Sequence, residues 1–243
     1  MKLKFLGTGA ADWKEPDERG EYRRHASALL DGCLLIDVTD TVLDQIGDPA
    51  AITDVFFTHS HADHFEIEAL RRLAPCRVYA HESWAGEIEG GGLTVIPLKT
   101  GERVRAAGFE VLPLPSNHCT SRDYETTLHY LIEKEGKRLL YATDGAWLLR
   151  RENRLIGGTV LDAAVFDATL GEEHDDDNRI FEHNSLSMVR MMVKAFHATG
   201  RLPADAPVFL THLSRTMNGT QAEVERRMKP PFVVSRDGLE VEI

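Results

Sequence analysis

Apolar residues along this chain come in short runs rich in Val, Ile, Leu and Phe, parted by turns that carry Gly, Asp or Pro. Runs of that length and spacing predict strands. They fall near residues 2–6, 26–31, 33–38, 53–57, 77–80, 94–96, 109–114, 127–133, 138–142, 163–166, 207–210 and 232–242. Helical spacing appears at three places. Residues 65–74 set Phe65, Leu70 and Leu73 on one face and Glu66, Arg71 and Arg72 on the other. Residues 185–198 make the strongest helix: Ser185 or Asn184 caps it, Leu186, Val189, Val193 and Phe196 give its apolar face, and Gly200 ends it. A last helix near 219–228 starts at Thr220 and stops before Pro230-Pro231. Segment 12–25, charged and poor in apolar residues, reads as a loop near the active face. Strand groups followed by helices, in two similar halves with no linker, predict an α/β chain built as an αβ/βα sandwich.

Several of the strands close on metal-ligating side chains. After the run Val55-Phe56-Phe57 comes Thr58-His59-Ser60-His61-Ala62-Asp63-His64, with three imidazoles and a carboxylate almost side by side. Imidazole and carboxylate are the ligand set that Zn²⁺, Mn²⁺ and Fe²⁺ accept at an open, catalytic site. His59 and His61 can meet one metal, while Asp63 and His64, past the turn, can meet another. Three further apolar runs end in His118, in Asp144 followed by Gly145, and in His212. Ligands at the ends of separate strands are what a site along one edge of a layered protein requires. A lone His or Asp is usually structural; this set is not alone.

The order H-x-H-x-D-H, then His, Asp and His, resembles the metallo-β-lactamase-fold superfamily of binuclear metallohydrolases. The opening Leu6-Gly7-Thr8-Gly9-Ala10-Ala11 and the run Leu34-Leu35-Ile36-Asp37 share in the likeness, which extends over nearly the whole chain. The resemblance implies one four-layer αβ/βα domain over residues 1–243. It also implies two divalent metal ions, Zn or Mn, with Fe as a third candidate. His59, His61 and His118 would hold one ion, Asp63, His64 and His212 the other, and Asp144 would bridge them. Asp37 would orient a ligand imidazole through its other ring nitrogen.

Composition narrows the classes. A chain of 243 residues, 42% hydrophobic, can bury a full core. No apolar run nears the ~20 residues that span a bilayer, and Met1-Lys2-Leu3-Lys4-Phe5-Leu6 reads as a strand rather than a secretory signal. Cys33, Cys76 and Cys119 are odd in number and lack C-x-x-C spacing, which points to a reduced, cytoplasmic protein. Cys119 is read as a neighbour of His118, not a ligand. The net charge of −11, without a Lys/Arg stripe, argues against nucleic acid as a partner. The run Glu172-Glu173-His174-Asp175-Asp176-Asp177 reads as a solvated acidic loop. Gly7-Thr8-Gly9 reads as a tight turn, since the third glycine of a dinucleotide fingerprint is missing. A small-molecule substrate and no membrane contact are expected; a homodimer stays open.

Which bond is cleaved must come from the rest of the site, because the fold hosts many hydrolases. His183, in Phe181-Glu182-His183-Asn184-Ser185, resembles the histidine that serves the leaving group in cyclic-phosphate phosphodiesterases of phosphonate breakdown. Leu114-Pro115-Ser116-Asn117-His118 and Leu210-Thr211-His212-Leu213-Ser214 share that likeness. It implies a phosphodiesterase for a small phosphodiester, cyclic ones included. A metal-bridging hydroxide would attack and His183 would act as general acid, with Asp63 and His183 as the catalytic pair. The chain lacks that relative's early Cys cluster and carries an added stretch, Thr120–Thr126. Three rivals stand beside this reading. A tRNA 3′-processing endonuclease would need a protruding basic arm that no segment supplies. A thioesterase or lactonase of the glyoxalase type using the same ligands is the better rival. The third is a non-enzymatic metal sensor or scaffold, against which the complete ligand set argues. Arg24, His25, Ser27 and Asn218 are weak candidates for substrate contact, and Trp147 for a pocket wall. His129 is expected half-buried in a strand, His197 outward on its helix, and His81 at a strand end.

Overall fold

The computed structural model describes residues 1–243. Six strands lead the chain: β1 Lys2–Gly7, β2 Ser27–Leu30, β3 Leu34–Ile36, β4 Asp54–Phe56, β5 Cys76–His81 and β6 Leu93–Leu98. Seven more follow: β7 Val104–Ala106, β8 Phe109–Pro115, β9 Leu128–Lys134, β10 Lys137–Ala142, β11 Ala163–Asp167, β12 Val208–Thr211 and β13 Phe232–Val234. The closing strand β14, Glu240–Glu242, returns to the start of the chain. Four α-helices lie between them: α1 Ile67–Arg71, α2 Arg150–Ile156, α3 Leu186–Ala198 and α4 Gln221–Arg227.

Two mixed sheets result, in the orders β14-β1-β2-β3-β4-β5-β6 and β13-β12-β11-β10-β9-β8-β7. In each, antiparallel pairing gives way to parallel pairing, after β3 in the first sheet and after β10 in the second. The two halves are therefore built alike, as the sequence pattern predicts.

Alternation along the strands makes four layers. Phe5, Leu30, Ile36, Phe56 and Tyr79 point inward and meet Val111, Tyr130, Ile132, Tyr141, Val165 and Phe209 of the second sheet. Their neighbours Leu29, Leu35, Val55, Phe57 and Val78 face outward under Leu70 and Leu73. On the far side Leu114, Leu140, Phe166 and Leu210 pack beneath Leu186, Val189, Val193 and Phe196 of α3 and Val224 of α4. Both faces of each sheet are covered, which is why the runs read as nearly continuous apolar stretches.

The helix caps follow the sequence. Ser185 Oγ accepts from Met188 N–H at the start of α3. Thr220 and Glu223 close a capping box on α4, with Thr220 N–H donating to the Glu223 carboxylate at 2.8 Å.

Three expectations need correction. The strand expected over 232–242 is two strands in different sheets, parted by a turn where Gly238 takes a φ of +80°. The helix expected over 65–74 shortens to α1, because Phe65 pairs with Val38 as a β-bridge before the helix begins. His129 is wholly buried rather than half-buried, since β9 lies inside the second sheet.

Candidate metal centre

All the strands that carry the predicted ligands end at one edge. β8, β10, β11 and β12 run in the same direction, so their C-terminal ends meet the loop that leaves β4. Asp144 (φ 57°) and His212 (φ 55°) at these ends, and Asp37 (φ 58°) at the end of β3, hold left-handed backbone. Asp and His tolerate that region better than most residues, but it still costs about 1–3 kcal/mol where packing enforces it. The bend turns each side chain off the strand line and toward the same cluster of imidazoles and carboxylates.

The seven predicted residues converge there. Nε2 of His118 lies 3.1 Å from Nδ1 of His61, and the rings of His59 and His118 are 4.8 Å apart. Across the centre, His64 Nε2 is 2.8 Å from Asp144 Oδ2. His212 Nε2 is 3.3 Å from both Asp63 and Asp144. His59, His61 and His118 form one group with converging ligand atoms, and Asp63, His64 and His212 form another. Asp144 groups with His59 of the first half and with His64 and His212 of the second.

These residues fit a metal chemically. His59 Nε2 is buried with no hydrogen-bond partner, and His64 Nε2 and Asp144 Oδ2, although 2.8 Å apart, are buried without the alignment of a hydrogen bond. An unsatisfied buried polar atom costs about 1–3 kcal/mol, and divalent cations would satisfy all three at once. Burial pushes the His118 imidazole down to about 4 and lowers His59 as well. Both are held as the neutral bases that ligate metals. Burial also opposes a charge on His212, but Asp144, Asp167 and Asp63 outweigh it and push the imidazole up to about 10.

Surrounding groups fix the rings. Asp37, wholly buried, accepts from Thr58 N–H, from Thr58 Oγ1 and from His64 Nδ1, each at 2.8 Å. Ser116 Oγ donates to the Asp144 carbonyl at 2.6 Å and accepts from His118 N–H at 3.1 Å. Asn184 brackets the turn after Asp144, donating to Gly145 O and accepting from Trp147 N–H, both at 2.8 Å.

His183 reaches the same place. Its Nδ1 lies 2.9 Å from Asp167 Oδ2 and 3.6 Å from Asp144 Oδ1, and its ring stacks on His212 at 5.4 Å. Burial would lower its pKa, but Asp167 wins and raises it above the ordinary histidine value. Asp167 is the principal residue that the sequence pattern leaves unassigned. Burial would raise its carboxyl, yet His183 and His212 hold it well below the usual carboxylate range. Its signal was present: Ala163-Ala164-Val165-Phe166 is an apolar run closing in a carboxylate, like the run before Asp144.

A hollow of about 300 Å³ opens on this cluster, lined by His61, Asp63, His118, Asp144, His183 and His212, with Asp12, Arg179 and Glu182 at its rim. Segment 12–25 does approach the site, through Asp12. Arg24, Ser27 and Asn218 are absent from the lining and are engaged elsewhere. Arg24 is paired with Asp44 at 2.7 Å, Ser27 Oγ donates to Asp37 O, and Asn218 donates to Ala168 O and Thr169 O. His25 and Trp147 are absent from the lining. His81 ends β5 beside Ser83, and His197 is half-buried on α3.

The sequence profile of the family described as the Beta-lactamase superfamily domain matches residues 28–213. Ribonuclease Z of Gemmatimonas aurantiaca is 24% identical, across 100% of this chain and 96% of that protein. The crystal structure of a new diphosphatase from the PhnP family superposes with a TM-score of 0.74 at 20% identity, covering 99% of this chain and 96% of the other. Zn²⁺-bound PqqB from Methylobacterium extorquens superposes with a TM-score of 0.72 at 21% identity, covering 100% of both chains.

Proposed function

The chain belongs to the beta-lactamase superfamily and has the metallo-β-lactamase fold, and from that premise we propose that it is a binuclear metal-dependent phosphodiesterase. Residues 1–243 act as one domain in this reading, since the two sheets share one core. His59, His61 and His118 would hold one divalent ion, Asp63, His64 and His212 a second, and Asp144 would serve both. Divalent metal at such a site supplies Lewis acidity toward phosphoryl oxygens and activates water at neutral pH.

The observation that carries the phosphodiester reading is the His183–Asp167 pair. Asp167 engages Nδ1 at 2.9 Å, which fixes the tautomer and leaves Nε2 to carry the exchangeable proton. An imidazole held in that way beside the centre can protonate a departing alkoxide. Alkoxide leaving groups need that proton and thiolates do not. Asp63 lines the hollow and would orient the attacking water. The names of two similar proteins, a diphosphatase and a ribonuclease, support phosphorus–oxygen cleavage. The small hollow and the net charge of −11 favour a small phosphodiester over a nucleic acid.

The test is His183→Ala, checked first for unchanged metal content. Hydrolysis of a phosphodiester with a poor alkyl leaving group should fall by ~10²–10⁴-fold, while a p-nitrophenyl diester should suffer little. An equal loss with both would make His183 a substrate-positioning group. No loss with either would remove the general acid and turn the reading toward a thioesterase or lactonase of the glyoxalase type.

A further inference from the structure

Resting on the metal centre proposed above, we infer that Glu125 is a positioning residue that sets the geometry of the three-histidine half, His59, His61 and His118. Its side chain is wholly buried, and a carboxylate so far from water is tolerated only when donors surround it. The donors come from two segments. Ser60 N–H donates at 2.8 Å and Ser60 Oγ at 2.5 Å. Thr120 Oγ1 donates at 3.0 Å, and Arg122 closes to 3.5 Å.

Ser60 is the residue between His59 and His61. Those two rings meet edge to face at 4.6 Å, while Ser60 turns into Glu125. Contact at both the backbone N–H and the hydroxyl fixes chain direction and rotamer at Ser60, so the backbone that carries both flanking imidazoles cannot shift without breaking a charge-assisted bond. The same carboxylate holds Thr120, two residues beyond His118, whose Nε2 is 3.1 Å from His61 Nδ1. One group therefore ties together the two segments that supply all three imidazoles. The strap that carries it, residues 119–126, has separate anchors: Tyr124 donates to Glu87 at 2.6 Å, and Thr126 N–H donates to Ser83 Oγ at 3.0 Å. These anchors do not touch the histidines and provide a control.

The experiment is a Zn²⁺ titration of the whole chain against a competing chromophoric chelator, with Co²⁺ absorption as a second readout. Glu125→Ala should weaken one of two equivalents by about 10–100-fold, leave the other unchanged and alter the Co²⁺ visible bands. Glu125→Gln keeps an acceptor oxygen for Ser60 N–H and should recover part of the loss. Tyr124→Phe should leave both affinities as they are. Where Glu125→Ala does not fold, Ser60→Ala replaces it, removing only the hydroxyl bond and weakening the same equivalent by less. Two equivalents at full affinity with an unaltered Co²⁺ spectrum would overturn the assignment, as would an equal loss in Tyr124→Phe. Failure of the unaltered chain to bind any metal would instead sink the metal-centre reading, so the two failures are told apart.

Discussion

Replacing Asp37 by Asn changes one oxygen for an NH₂ in a site with no slack. The carboxylate receives three donors, Thr58 N–H, Thr58 Oγ1 and His64 Nδ1, all at 2.8 Å. A neutral His64 that donates from Nδ1 keeps the lone pair of Nε2 for a metal. An Asn amide turned with NH₂ toward His64 forces the proton to Nε2, the wrong tautomer for ligation. Turned the other way, it meets Thr58 N–H and displaces the start of the ligand loop. Loss of such an orienting partner costs about 10–100-fold in metal affinity, or about 1.4–2.7 kcal/mol.

The metal-free fold should respond differently. Burial pushes the Asp37 carboxyl up, and His64 with the Thr58 donors only partly offsets it, so its folded value stays raised. A carboxyl with a raised folded value opposes folding when ionised at neutral pH, and Asn removes that cost along with the lost bonds. The metal-free unfolding free energy of Asp37→Asn should therefore stay within about 1 kcal/mol of the parent, while chelator competition shows the affinity loss. Unchanged metal affinity, or an equal loss in metal-free stability, would refute the orienting role.

Three further outcomes are expected. Asp144→Ala should lower occupancy of both ions, because one carboxylate faces both halves; full metal content by mass spectrometry would remove the bridging role. Metal binding should release protons and tighten as pH rises from 6 to 8, because His212, pushed up to about 10 despite burial, must lose its proton to ligate. Calorimetry in buffers of different ionisation enthalpy would show no proton release if that is wrong. Asp54→Ala should destabilise the fold by about 2–3 kcal/mol, since Asp54 accepts from Thr53, both nitrogens of the Arg77 fork and Tyr79. Burial raises the Asp54 carboxyl, but those donors win and lower it. Its contribution is therefore present above the ordinary value near ~3.9 and lost as pH falls through the lower folded value. The variant should lose less stability in acid than the parent; equal acid sensitivity would count against the assignment.

The residues legible in the sequence are those whose signal is local. H-x-H-x-D-H declares itself by spacing, and His118, Asp144 and His212 by closing apolar runs. The alternation of the strands carries the four layers in the same way. Contacts made between distant loops leave no such trace. Glu125 meets Ser60 only after the two sheets have come together, and Asn184 meets Gly145 only once β10 and β11 lie side by side. α2 is hidden for a different reason: the buried position one turn before Ile156 is Glu152, paired with His129 at 2.6 Å, so the stretch with Arg150, Arg151 and Arg154 shows no repeating apolar stripe. At the C-terminus the alternation continues through 232–242, and only the turn Arg236-Asp237-Gly238 marks the passage from one sheet to the other.

The most direct test of a binuclear phosphodiesterase is hydrolysis of bis(p-nitrophenyl) phosphate by metal-stripped protein resupplied with Zn²⁺ or Mn²⁺. Turnover that climbs to a plateau at two equivalents of metal, and is lost in Asp144→Ala, is the predicted result. Two bound ions with no turnover under either metal would contradict the phosphodiester assignment and direct the search to thioesters and lactones.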